Sequence, residues 1–160
     1  MAGIYGRIYN LPLARTAVTA AIDFAELLTA ATHICVIHAI ELTQSTDVKD
    51  AEEEMIQLAW KSGQTTSGSG GNTGVTPVPI LLGDAAHGMT IETFNTTKAT
   101  AGTIVTHKIW DWNLRVPFEK LFTPENRLII PPSTRATLEL VAAPADSVTF
   151  GGQIVIEIIG

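Results

Sequence analysis

The stretch SVTFGGQIVIEI, residues 147–158, alternates apolar and polar side chains along most of its length. One face of an extended chain would carry Val148, Phe150, Gly152, Ile154, Ile156 and Ile158, and the other would carry mainly Thr149, Gln153 and Glu157. Successive side chains of a strand point to opposite sides of its sheet, so this pattern predicts a strand with one buried face.

Similar runs occur throughout the chain, which holds 21 Thr and 17 Ile residues. Such β-branched residues fit a pleated, half-buried surface. Further strands are predicted within residues 16–29, 32–43, 53–63, 89–95, 103–112, 127–130 and 134–141. Eight short runs separated by turn residues predict an all-β protein, either a sandwich or a barrel.

Two segments stand apart from these runs. Residues 62–79, SGQTTSGSGGNTGVTPVP, are rich in Gly, Ser, Thr and Pro and predict a long, exposed, flexible loop. Residues 1–14, MAGIYGRIYNLPLA, predict an extended N-terminal arm, because two glycines and a proline weaken any helix. We therefore expect an arm at residues 1–14 and a single β-sandwich domain at residues 15–160.

The arm is apolar and would be unstable in water alone. It is expected either to close its own sheet or to add to a neighbour, and we hypothesise that it reaches a partner. The candidate partner-interface residues in it are Ile4, Tyr5, Ile8, Tyr9, Leu11 and Leu13.

The composition of the 160 residues indicates a protein that assembles with others. Hydrophobic residues make up 46% and charged residues only 16%, against about 25% charged in a typical soluble domain. The surface is therefore poor in charge, and part of it is expected to be buried against other chains.

Charge and hydropathy also exclude several classes of function. The net charge is −6, and no basic run suggests a nucleic-acid footprint. The apolar stretches are too short to cross a bilayer, and the N-terminus lacks a secretory signal, so neither a membrane nor nucleic acid is expected as a partner. Cys35 is the single cysteine, which rules out a disulfide framework and favours folding in a reducing cytosol.

No catalytic, cofactor-binding or metal-binding residues are predicted, and the chain is not expected to be an enzyme. His33, His38 and Glu41 are the best metal candidates, but residues five or three apart on a regular strand point to opposite faces. A cupin-like metal site using His38 and His107 is the weakest alternative. Cys35 lies between Ile34 and Val36 and is expected to be an inert core thiol.

Trp110 and Trp112 alternate in KIWDWN and would share one face of a strand. If exposed, the two indoles would form a platform for sugar rings. We favour the alternative that they anchor the core or a subunit interface, and they join the candidate partner-interface residues.

From Ile40 onward the order of segments resembles small proteins encoded among the structural genes of tailed bacteriophages. The likeness extends over residues 30–158. It is most specific in TTSGSGG followed by TP-P and GDAA within residues 65–86, and in AAPADSVTFGG at residues 142–152.

This resemblance implies a jelly-roll-like antiparallel β-sandwich and a structural role. Similar phage proteins are capsid cement, or decoration, proteins that bind the major capsid protein as homotrimers. We therefore expect a virion protein on the capsid exterior, made in the host bacterial cytoplasm. The alternative function is a tail-associated jelly-roll module that binds carbohydrate or a receptor.

Overall fold

The computed structural model describes residues 6–46 and 54–160. These residues form eleven strands and one turn of 3-10 helix at Pro124–Asn126. The strands are β1 (Arg7–Val18), β2 (Asp23–Leu28), β3 (Ile34–Gln44), β4 (Met55–Ser62), β5 (Val78–Pro79), β6 (Thr90–Asn95), β7 (Val105–Asn113), β8 (Phe118–Leu121), β9 (Leu128–Ile130), β10 (Arg135–Leu140) and β11 (Val148–Ile159).

The strands form two antiparallel sheets. Sheet I has the order β5-β1-β11-β3-β8, with β9 also paired to β3, and sheet II has the order β6-β2-β10-β4-β7. The first four strands, β1 to β4, lie alternately in sheet I and sheet II. The alternation recurs at the end of the chain, where β8 and β9 lie in sheet I, β10 in sheet II and β11 in sheet I. This topology is that of a jelly roll, so the predicted all-β, jelly-roll-like sandwich is confirmed.

The core lies between the sheets and is built from alternate residues of each strand. Phe24 of sheet II meets Phe150 of sheet I edge-on, with ring centroids 5.2 Å apart. The rings of Trp110 on β7 and Phe118 on β8 have their centroids 5.7 Å apart, so these two edge strands pack against each other across the sandwich. Trp60, Tyr9 and Leu11 are among the largest fully buried side chains.

Each of the eight predicted stretches contains a strand. Residues 16–29 contain the end of β1 and all of β2, because the chain crosses from sheet I to sheet II between them. Three pieces were not predicted as strands: most of β1, the two-residue β5 and the four-residue β8. β5 and β8 have too few residues to establish an alternating pattern.

Most of residues 62–79 form the long, exposed loop that the sequence predicts, but polar contacts fix this loop, here called the cover, over sheet II. Thr66 exchanges backbone hydrogen bonds with Thr100, at 2.9 and 3.0 Å, and Ser69 does so with Thr97 at the same two distances. Its beginning and end belong to β4 and β5. The prediction of flexibility was wrong because a segment with little apolar surface is held here by polar contacts to the rest of the chain.

The arm predicted at residues 1–14 is part of the sandwich where the structure describes it. Residues 7–18 form β1, which pairs with β11 along its length, from Arg7 opposite Ile158 to Val18 opposite Val148. The sequence left open whether this segment completes its own sheet or adds to a neighbouring molecule. Residues 7–18 complete their own sheet. The boundary drawn after residue 14 falls inside β1, and deleting residues 1–13 would remove much of a central strand.

Candidate assembly surfaces

The interface residues predicted in β1 divide between the core and the surface. Tyr9, Leu11 and Leu13 point between the sheets and are 0–3% exposed, whereas Ile8 faces outward and is 37% exposed. Tyr9 also donates a hydrogen bond from its hydroxyl to the Ala85 carbonyl, at 2.6 Å. The interface role expected for the three buried residues is therefore wrong, because alternation along β1 directs them into the core. Ile4 and Tyr5 lie outside the described residues.

The two tryptophans do not form a platform. Trp112 is 2% exposed and donates a hydrogen bond from Nε1 to the Val116 carbonyl, at 2.7 Å. Trp110 is half-buried and packs against the core beside Phe118 and Phe122. The core-anchor interpretation is confirmed for Trp112, so its predicted place in a partner interface is wrong, and these two indoles form no exposed sugar platform.

Exposed apolar side chains instead lie mainly on two opposite sides of the sandwich. The first group, here called the β5 flank, surrounds the edge strand β5 and the turn after it. Its exposed residues are Ile8 (37%), Val78 (56%), Ile80 (60%), Leu81 (68%) and Leu82 (89%). Ile80 is tied to β1 by a hydrogen bond from its backbone N–H to the Ile8 carbonyl, at 2.9 Å.

The second group, here called the β8 flank, lies where β7, β8 and β9 form the opposite edges of the two sheets. Its exposed residues are Val105 (48%), Ile109 (57%), Val116 (56%), Leu121 (85%) and Ile129 (62%). Ile104 adjoins Val105, and the exposed Met55 pairs with Asn113 at the end of β7. Of the large exposed hydrophobic residues in the described chain, Ile159 alone belongs to neither side.

The outer face of sheet II has a different character, because charged side chains are buried there beneath the cover. Glu26 is 3% exposed and accepts hydrogen bonds from the Ser67 hydroxyl (2.6 Å), the Gly68 N–H (2.9 Å) and the Asn95 amide (3.0 Å). Its Oε1 also lies 2.6 Å from Nε of Arg135. These contacts fasten the cover to the sheet.

A second carboxylate group lies beside the first. Glu139 forms ion pairs with Lys61 and Lys98, each at 2.7 Å. Asp23 is 1% exposed and accepts a 2.7 Å hydrogen bond from the Ala99 N–H. Burial raises the pKa of Asp23 to about 7, and neighbouring carboxylates add to the rise, whereas the Ala99 hydrogen bond and Lys98 oppose it. This cluster holds the segment after β6 in place.

The histidines do not converge on one point. His38 on β3 lies on the outer side of sheet I, where its Nε2 is 2.7 Å from Glu157, whereas His107 on β7 of sheet II contacts the Ser62 hydroxyl at 2.7 Å. His33 contacts Thr32. Within residues 6–46 and 54–160, no group of three His, Cys, Asp or Glu side chains could hold a metal ion.

One detail of β3 corrects the strand geometry assumed from the sequence. The register with β11 shifts between Val155 and Ile156, so β3 contains one extra residue at His38. This bulge turns His38 to the same outer face as Glu41, although regular alternation would separate them. Glu41 accepts a hydrogen bond from the Gln153 amide at 2.7 Å, and His38 contacts Glu157 instead.

A small pocket opens at one corner of the sandwich. A pocket of about 70 Å³ lies at the corner between β1 and β2 and is lined by residues such as Val18, Ile22 and Phe94. Pockets for drug-sized ligands are about 300–1,000 Å³. No helix in the described part of the chain is long and apolar enough to span a bilayer.

Neither flank was predicted as a whole from the sequence. The tetrapeptide PILL at residues 79–82 carried a usable signal, since three large apolar residues follow one another between Pro79 and Gly83. The β8 flank had no such signal. Its members are spread over residues 105–129 and lie on one side of the sandwich only because β7, β8 and β9 are edge strands there.

Comparison with known proteins places the chain in no family. No family model matches it, and no curated protein matches it. Among solved structures, it is weakly similar to a chain of infectious bursal virus derived T=1 particles, with 11% identity and a TM-score of 0.24. The match covers 96% of this chain and 40% of that one, so the chain spans less than half the length of the viral subunit. A likeness at this TM-score does not bear on function.

Proposed function

We propose that this chain is a structural protein of a bacteriophage virion. In this proposal it is a capsid cement protein that binds the major capsid protein on the outside of the head as a homotrimer. The observation that carries the proposal is the pair of apolar flanks on opposite sides of one sandwich.

Each flank holds several large apolar side chains that are more than a third exposed. Single exposed hydrophobic side chains need no explanation, but contiguous apolar patches mark sites of interaction. On the β5 flank, Ile80, Leu81 and Leu82 are consecutive and each is at least 60% exposed. A protein that works alone in water gains nothing from such side chains, whereas an assembly component buries them.

Trimerisation suits attachment to a shell. A stable protein interface buries on the order of 800 Å² on each partner. A small chain of 17.1 kDa offers only a modest contact to the capsid. Three linked copies raise the effective concentration of the second and third contacts, so weak individual attachments hold together.

The proposal is tested on virions of a phage that carries the chain. We expect antibodies raised against the purified protein to label the heads in immunogold electron microscopy. Heads prepared without the chain should recover it when the purified protein is added, in a pelleting assay, and should then resist heating better.

The outcomes separate the alternatives. Labelling of the tail would overturn the cement function and favour a tail-associated binding module. Virions without label, together with heads that do not retain the added protein, would overturn a virion role of either kind. Heat-unfolded protein is the control for nonspecific pelleting.

A further inference from the structure

We propose that residues 80–89 form an acid-sensitive strap, which protonation of His87 releases from the end of the sandwich. This segment joins β5 to β6 and is called the strap below. The proposal goes beyond the proposed function, because it concerns contacts within one chain. Three features carry it: a hydrogen bond that needs a neutral imidazole, surroundings that oppose a positive charge, and the small number of other contacts that hold the strap.

The hydrogen bond lies inside the strap. The backbone N–H of Met89 donates to Nδ1 of His87 at 3.1 Å. A ring nitrogen accepts only when it carries no proton, so this bond requires the neutral imidazole with its single proton on Nε2. The imidazolium ion has two donors and no acceptor. Protonation therefore sets two N–H groups against each other, and the bond breaks.

The surroundings of His87 oppose its positive charge. The half-buried ring lies edge-on to Tyr9 of β1, with the ring centroids 6.4 Å apart. Arg7 stands on the same face of β1, two residues before Tyr9. Within the part of the chain that the structure describes, no carboxylate forms an ion pair with His87, Asp84 of the strap included. Burial lowers the pKa of His87 below its ordinary value of 6.5, which favours the form that accepts from Met89.

A second imidazole lies against the strap from the turn before β3. The ring of His33 is so close to Gly88 that a Cβ added to this glycine would lie 3.2 Å from Cε1 of the ring. Nδ1 of His33 is 3.0 Å from the hydroxyl of Thr32, which is a neutral partner. Imidazoles gain a positive charge in mild acid. The conditions that charge His87 therefore add a second cation beside the strap.

Few other contacts hold the strap in place. The Tyr9 hydroxyl donates to the Ala85 carbonyl at 2.6 Å, and the Ile80 N–H donates to the Ile8 carbonyl at 2.9 Å. Leu82 is 89% exposed and buries little apolar surface. Segments with few buried apolar contacts open locally at a low cost in free energy. The loss of one hydrogen bond is therefore enough to raise the open population.

The part of the strap that moves has a glycine at each end. Gly83 and Gly88 have φ of +98° and +66°, a region that glycine enters without strain. Residues 84–87 lie between them. Tyr9 beneath the strap is 1% exposed, and Met89 at its end is 8% exposed. Opening of the strap therefore uncovers one end of the core.

The direction of the pH dependence follows from the lowered pKa of His87. When the strap is open, the ring is in water and binds protons with an ordinary pKa of about 6.5. The pKa is lower in the closed strap, so below about pH 6.5 the open form holds more protons and acid favours it. Above about pH 7 both forms are neutral, and opening no longer depends on this group.

The Met89 amide reports on the strap directly. Its hydrogen exchange is measured by NMR near pH 5 and near pH 7.5, and is expressed as a protection factor, which removes the intrinsic dependence of exchange on pH. We expect the protection of Met89 to fall by about fivefold or more in acid. The amides of β11 report on global unfolding and should keep their protection.

His87→Asn is the decisive variant. Its side-chain carbonyl accepts a backbone N–H two residues further on, as in an Asx-turn, but the amide does not titrate. We expect Met89 to be as protected near pH 5 as near pH 7.5. His87→Phe keeps a ring beside Tyr9 but has no acceptor, so Met89 should be weakly protected at both pH values. His107→Asn removes an imidazole from β7 and is the matched control, which should respond as the wild type does.

Three results would overturn the proposal. The first is a wild-type Met89 amide that is equally protected at both pH values. The second is an acid response that persists in His87→Asn, since it would belong to another group. The third is a His87→Phe variant with wild-type protection near pH 7.5, because the hydrogen bond to His87 would then not hold the strap. Circular dichroism at both pH values verifies the fold of each variant.

Discussion

Arg135 of β10 and Glu26 of β2 form an ion pair on the outer face of sheet II, with Nε 2.6 Å from Oε1. Both side chains are buried, at 12% and 3% exposure, and the cover closes over them. The Arg135 guanidinium also donates to the Gln64 carbonyl at 3.2 Å, while Glu26 binds Ser67 and Gly68. One pair of charges therefore fastens a segment with little apolar surface of its own.

We expect Glu26→Ala to destabilise the protein by about 3–5 kcal/mol, because it leaves the Arg135 charge buried without its partner. The cover should also become accessible, so limited proteolysis should cut within residues 63–77. Ser67→Ala is the matched control, since it removes one hydrogen bond to the same carboxylate and should cost only about 1 kcal/mol. Equal unfolding free energies for Glu26→Ala and the wild type in guanidinium would contradict the role of this pair.

Asp23 should make stability depend on pH. Burial raises its pKa from 3.8 to about 7 in the folded protein, so between these values the folded chain holds a proton that the unfolded chain has released. The resulting cost to folding is absent below about pH 4, grows as the pH rises, and is constant above about pH 7. We expect Asp23→Asn to match the wild type near pH 4 and to exceed its stability by up to about 4 kcal/mol at pH 8.

Asparagine preserves the shape of Asp23 and can still accept the hydrogen bond from Ala99. The exposed Asp146→Asn is the control for the loss of one carboxylate elsewhere on the chain. A stability difference for Asp23→Asn that is flat from pH 4 to pH 8 would show that this carboxyl titrates normally.

Gly152 and Gly151 are neighbours in β11 with opposite tolerance for a side chain. Gly152 has a φ of +150°, and a Cβ on it would collide with the Glu41 carbonyl oxygen of the paired strand. Gly151 has no atom nearer than 3.4 Å to an added Cβ. We expect Gly152→Ala to lower the unfolding free energy by about 2 kcal/mol or more and Gly151→Ala to change it by less than about 1 kcal/mol. Thermal unfolding of the pair decides, and a reversed order would contradict the register of β3 with β11.

Trp112 should be required for folding. Removing its indole leaves a large cavity and an unpaired Val116 carbonyl, so Trp112→Ala should cost about 3–5 kcal/mol. Ile109→Ala, on the same strand but 57% exposed, should cost less than about 1 kcal/mol in the monomer. Chemical unfolding at low protein concentration measures both, and a Trp112→Ala variant as stable as the wild type would place this side chain outside the core.

Cys35 should be unreactive in the native protein. It is fully buried, and burial raises the pKa of its thiol to about 12, so the thiolate that reacts with alkylating agents is scarce. We expect no labelling by an aromatic disulfide reagent at pH 8 until denaturant is added, and then one thiol per chain. Rapid labelling without denaturant would mean that β3 opens readily.

The local pattern of the sequence was sufficient to predict most of the strands and part of the core. Alternation in residues 147–158 identified the buried face of β11, since Val148, Phe150, Ile154 and Ile156 are fully buried. The apolar residues around Cys35 were also sufficient to predict that its thiol is buried. The local pattern failed at β1, where Pro12 and two glycines suggested an extended arm. Pairing with β11 outweighs the weak local strand preference of these residues.

The candidate surfaces could be predicted only in part. The exposed run of Ile80, Leu81 and Leu82 is visible in the sequence, but the same composition is compatible with a buried strand. Ile8 and Ile129 belong to opposite flanks only because β1 and β9 lie on opposite sides of β11 and β3. Such neighbours are far apart along the chain, and no local window contains them.

By itself the sequence determined the class of fold, because the period of two in its apolar residues is a local property that only a sheet can bury. The tertiary structure alone decided how adjacent, chemically similar residues differ. Pairing across the sheet makes Gly152 indispensable beside a tolerant Gly151, and the bulge at His38 reverses the face that alternation assigns to it. The pairing of Glu26 with Arg135 likewise orders a Gly- and Ser-rich cover, because ion pairs and hydrogen bonds between distant residues form only when the sheets bring them together.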